Sequence, residues 1–123
     1  MPVLLALHFW LRWAVILFGL VGAVRIILSR RDPERLARGA KVHGTIFLAA
    51  LDTAWLVGIV LLLMEWGTAE NNPVRLTHGA IMTAAVILAH GLRVATKRGN
   101  DRLLAALFLA PLVIILAGHL ILP

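Results

Sequence analysis

The sequence predicts an all-α protein: four membrane-spanning helices in an up-down-up-down bundle, one domain over residues 1–123. Three observations carry that prediction. Of the 123 residues, 61% are apolar and only 15% are charged, more apolar surface than a soluble domain of this size can hide. Apolar runs at about 3–28, 42–64, 76–96 and 103–122 are each long enough to cross a bilayer as a helix. The stretches between them are short and polar, which makes sequential helices antiparallel neighbours.

The first span runs from about Val3 to Leu28. It is longer than a signal-peptide core and has no A-x-A cleavage pattern, so it is expected to stay in the membrane. His8 and Arg12 stand four apart on one helical face, and Val15, Gly19 and Gly22 continue that stripe. Trp10 and Trp13 suit an interfacial belt. Arg12 lies roughly 13 Å from the start of the span, too deep for easy snorkelling.

The connection from Ser29 to Lys41 is strongly basic, and Asp32 followed by Pro33 is an N-cap and first-turn pair. A helical turn is expected to begin there and lead into the second span, Val42–Met64. His43 stands at the start of that span and Asp52 near its midpoint, half a turn out of phase, so they face different neighbours. An ionised Asp52 at mid-membrane must be paired, watered or neutralised. Arg12 is the other formal charge inside the hydrocarbon, so an Arg12–Asp52 pair is the expected structural explanation of both. A proton-handling or propionate-binding role is the functional one.

Glu65–Arg75 reads as a polar turn that ends the second helix. The third span, Leu76–Thr96, has a histidine near each end, His78 and His90, roughly 18 Å apart along the axis. Its alanines suit a crowded interior. Lys97–Arg102 is a tight Gly-Asn turn, and the fourth span, Leu103–Leu122, holds Pro111 as an expected kink and His119 near its far end.

Ten of the twelve Lys and Arg flank the first and third connections. The positive-inside rule then puts those connections in the cytoplasm and both termini outside. The basic residues are topological signals and lipid contacts, which removes nucleic acid as a partner despite the net charge of +6. The absence of cysteine excludes disulfides, iron–sulfur clusters and thiolate metal sites.

With that topology the histidines sort by level: His43 and His90 toward the cytoplasm, and His8, His78 and His119 toward the outer side. Imidazole is a usual axial ligand of haem b held between facing membrane helices. His43 and His90 form one candidate iron-ligand pair. His8 and His78, on helices diagonal in a square bundle, form another, with His119 as a third candidate. Glycines 19, 22, 44, 58, 79 and 91 leave room for a macrocycle, and Arg12, Arg75 or Arg93 could meet its propionates. His78 and His90 lie about 120° apart in projection, so two haems sharing the same two helices are disfavoured, and one or two haems stay open. The plain alternative is that these histidines hydrogen-bond backbone carbonyls at helix ends.

The opening LHFWLRW, the RLTHG at the start of the third span, the GLR before a basic turn and the proline-terminated fourth span resemble a group of small bacterial four-span membrane proteins. These are labelled cytochrome b and are loosely similar to the cytochrome b561 and copper-resistance-D families. The resemblance implies a bacterial inner-membrane location and supports His8, Arg12 and His78 as site residues. It leads one to expect a histidine in the second helix near the place that Asp52 occupies here. The leading functional expectation is a b-type cytochrome that exchanges electrons with quinol or a redox partner, with quinone as a further bound cofactor. The alternatives are a cofactor-free accessory subunit of a larger membrane complex, or a small proton-coupled transporter using Asp52 and Arg12. The lipid bilayer is the partner in every case, and self-association is open in all of them.

Overall fold

The computed structural model describes residues 2–65 and 72–121. They form four helices: α1 (Pro2–Ser29), α2 (Pro33–Glu65), α3 (Asn72–Arg98) and α4 (Asp101–Ile121). All four are long and apolar enough to cross a membrane, and this is a multi-pass membrane protein with an all-α bundle fold. Each helix packs on its sequence neighbours and α1 closes the ring against α4, while α1 and α3 do not touch across the diagonal.

The connections follow from local chemistry. Asp32 caps α2: its Oδ1 accepts the amides of Glu34 at 3.1 Å and Arg35 at 3.2 Å, and its carbonyl accepts Leu36 N–H at 2.9 Å. Two orphan donors of the first turn are thereby satisfied. The turn begun at Pro33 continues without a break into the span, so α2 is 33 residues long. Its first two to three turns therefore belong to the basic rim. Gly99, with φ +64°, closes α3 by donating its amide to Ala95 O at 3.0 Å. Glycine takes this left-handed position without a Cβ clash. Asn100 then caps α4 through its side chain, which accepts Leu103 N–H at 3.1 Å. The Glu65–Arg75 turn lies largely outside the described residues, and α4 runs as one helix through the buried Pro111.

The bundle has a terminal end, where α1 begins and α4 ends, and a basic end, with the two short turns. The interior of the half toward the basic end is tightly packed. Ile26, Phe47, Leu92, Leu104 and Phe108 are fully buried there, and the two phenylalanine rings lie 5.5 Å apart. Glycines draw α4 against α1 and α3. A Cβ at Gly22 would strike the Phe108 ring, one at Gly19 would meet Leu112 Cδ2 at 2.8 Å, and one at Gly91 would meet Leu107 Cδ1 at 3.3 Å. These three glycines, expected to make room for a macrocycle, instead make room for side chains of α4.

Candidate functional site

The half toward the termini is open. A cavity of about 610 Å³ lies between the helices, bounded by α1, α2, α3 and α4 together. That volume is in the range of cofactor and ligand sites. Its walls are mostly apolar, yet His8, Arg12, Arg75, His78 and His119 all border it. The three histidines placed at the outer level by sequence therefore converge on one space. The gap exists because α1 and α3 stay apart, and because glycines 58 and 79 withhold side chains from the lining.

Each polar side chain is held differently. His78 projects from α3, and its Nδ1 donates to the carbonyl of Gly118 on α4 at 3.1 Å. That hydrogen bond fixes the orientation of the ring. On the opposite wall, His8 packs over Gly58: a Cβ there would meet its Cε1 at 2.9 Å. Its Nδ1 is buried and makes no hydrogen bond among the described residues, although the Ala54 backbone lies close enough to act on the ring. Buried polar atoms are rarely left this way, and the rest of the His8 ring borders the cavity.

Arg12 donates from Nη1 to Nδ1 of His119 at 2.7 Å, which puts the His119 proton on Nε2. The guanidinium also sits over Phe9 and Trp13, 4.9 Å and 5.5 Å from their ring centroids. Its Nε is buried and has no hydrogen-bond partner among the described residues. Arg12 and His119 therefore form a cationic corner of the cavity, and His8 and His78 both border it, one from α1 and the other from α3.

Asp52 is elsewhere. His90 Nε2 lies 2.9 Å and 3.1 Å from its two carboxylate oxygens, so Asp52 pairs with His90 across the α2–α3 seam. The expected Arg12–Asp52 pair is not formed. Both charges sit at comparable depth, but their side chains leave the helices in different directions. Asp52 also does not border the cavity, although its neighbour Leu51 does. One turn along the seam, Trp55 Nε1 donates to Thr83 Oγ1 at 2.8 Å, and Thr83 donates to Gly79 O at 2.8 Å. This bond holds the Trp55 ring in the cavity wall. Sequence reasoning missed Trp55. The signal was its spacing from Leu51 and Gly58, which places all three on one stripe of α2.

His43 and His90 share neither this cavity nor the second one described below, so the expected His43–His90 iron pair is not assembled. His90 is turned to Asp52, and His43 borders a separate small cavity with Arg25 and Arg38. Among the described residues there is no cluster of three or more His, Asp or Glu side chains suited to a bare metal ion. Comparison with protein-family models, with curated proteins and with solved structures finds no match for this chain.

Proposed function

We propose that this chain is a membrane-integral b-type cytochrome that binds haem in the cavity near the terminal end and passes single electrons to or from quinol or a partner redox protein. The observation that carries this reading is the His8–His78 pair. Two imidazoles from non-contacting helices face one apolar space. One has its Nδ1 committed to a carbonyl and the other has a buried nitrogen without a partner. The residues present fit the group. His8 and His78 would hold the iron through imidazole nitrogens, Arg12 and Arg75 would meet the acidic edge, and Gly58 and Gly79 border the same space. When bound, haem supplies the one-electron chemistry, and the chain supplies ligand orientation, water exclusion and local charge. The Arg12–His119 corner keeps a cation in the low-dielectric wall, which favours an anionic or electron-rich occupant.

The location that goes with this reading is a bacterial inner membrane, with the basic end in the cytoplasm and both termini outside. The resemblance to small four-span cytochrome b proteins supports it through His8, Arg12 and His78. A second reading, the cofactor-free accessory subunit, has its own observation. Asp52 and His90 leave 45% and 37% of their side-chain surface uncovered at mid-span, and a polar pair there is better shielded by another polypeptide than by lipid.

The test is the visible spectrum of protein made with ample haem. Sharp reduced bands of low-spin iron are expected, and His8→Ala or His78→Ala should each abolish them. The double variant should add nothing, since ligands of one iron act as a unit. His43→Ala and His90→Ala should leave the bands in place. Colourless protein that is folded and dispersed would overturn the proposal.

A further inference from the structure

We propose that the small cavity at the basic end is a binding site for a phosphate group, of the kind carried by an anionic phospholipid headgroup. It has a volume of about 210 Å³ and is lined by Arg25 of α1 and by Arg38, Gly39, Val42 and His43 of α2. This is space for roughly seven water molecules, enough for a tetrahedral anion with its ester carbons.

The site is cationic and uncompensated. Arg25, Arg38 and His43 make no hydrogen bond or ion pair with any described residue. The nearby carboxylate of Asp32 is spent on the amides of Glu34 and Arg35, and Glu34 joins no ion pair with these cations. Arg30, Arg31, Arg35 and Lys41 on the same rim add to the positive potential. Arg38 is exposed and Arg25 half-buried, so both guanidinium groups are open to an anion arriving from the interface.

The geometry also orders the donors. Gly39 is buried, and a Cβ there would meet Arg25 Cγ at 3.0 Å and Nε at 3.4 Å. The Arg25 stem therefore lies flat across α2, held beside Arg38 and His43. A side chain at position 39 would lift it away. Two planar guanidinium forks suit the several oxygens of a phosphate better than a single carboxylate. The depth is right for a headgroup: Val42, 54% exposed, is where the apolar run of α2 begins. Basic pockets between membrane helices on the positive side are a recurring way to hold acidic lipids.

The experiment uses the full chain in neutral detergent and follows binding by native mass spectrometry and thermal unfolding. Phosphatidylglycerol is compared with phosphatidylcholine, and inorganic phosphate with chloride at equal ionic strength. Phosphatidylglycerol should bind in preference to phosphatidylcholine. Arg25→Gln with Arg38→Gln should weaken it at least about tenfold, and Val42→Trp, which fills the cavity without changing charge, should do the same. Arg30→Gln with Arg31→Gln, the same charge change outside the cavity, should leave most of the affinity. A thermal shift with phosphatidylglycerol alone identifies the headgroup as the source, and a shift with inorganic phosphate as well shows that the free anion also enters. Both support the site. The proposal is overturned if the outer-rim variant loses as much as the cavity variant, or if neither phosphate source is preferred to its control. Should the arginine variant fail to fold, Val42→Trp decides: unchanged binding there overturns the proposal.

Discussion

The two halves of this bundle use the same kinds of residue for opposite ends. In the half toward the basic end, glycines receive large side chains: Gly22 takes the Phe108 ring and Gly91 takes Leu107. The result is a closed core around Phe47 and Phe108. In the half toward the termini, Gly58 receives the His8 ring, and Gly79 meets only the tip of Leu62, at 3.9 Å. There α3 and α4 stay in contact, with Met82 seated on Gly118, but α1 and α3 stay apart and a cavity opens, with polar atoms at His8 and Arg12 that have no partner among the described residues. In lipid, helix association draws on packing and polar contacts rather than on water exclusion. The closed half thus supplies the packing that lets the other half keep an underfilled, polar interior.

The most forceful way to break this division is to remove a ring from the closed half. Phe108→Ala should cost stability at the low end of about 3–5 kcal/mol, because lipid is as apolar as the vacated core. Ile59→Ala in the cavity wall should cost clearly less in the same unfolding titration in denaturing detergent. Equal losses would show that the cavity wall is as tightly packed as the core.

The same small substitution should then have different consequences in the two halves. Gly22→Ala puts a methyl into the Phe108 ring and should cost about 1–3 kcal/mol. Gly58→Ala meets only the far end of the His8 side chain. It should leave stability within about 1 kcal/mol, the helix-propensity gain offsetting the shift, while altering any signal that depends on His8. A Gly58→Ala protein as unstable as Gly22→Ala would remove the distinction.

Between the halves lies the Asp52–His90 pair. Asp52→Asn should cost about 1–2 kcal/mol. Combining it with His90→Gln should cost less than the two single losses added together. Asp52→Asn with Arg12→Gln should instead be additive, because Arg12 is engaged with His119. Coupling between Arg12 and Asp52 would mean that the two charges meet after all. A modest effect belongs to the tip of the closed half. Asp32→Ala removes the α2 cap and should cost about 1 kcal/mol, with the terminal-end cavity and anything bound there unchanged.

Much of this was legible from the chain. The four helices, the Asp32–Pro33 start of α2 and the Gly99–Asn100 turn follow from hydropathy, capping and glycine chemistry, all local properties. The grouping of His8, His78 and His119 was legible too, since depth in a straight helix is simply residue number times rise. The partners were not. Asp52 was assigned to Arg12 on depth alone, yet it pairs with His90. Gly19, Gly22 and Gly91 were read as space for a cofactor, yet they are filled by α4.

What the sequence by itself determined is therefore the axial order: which segments span, where they stop, and at what level each polar group stands. Only the tertiary structure decided the azimuths: that His43 turns to Arg25 and Arg38, that His90 turns to Asp52, and that His8 and His78 border one cavity. The physical reason is that depth belongs to one helix, whereas direction is set by how two helices rotate to seat each other's side chains. That rotation depends on glycines and large residues distant in the chain, as Gly22 and Phe108 show.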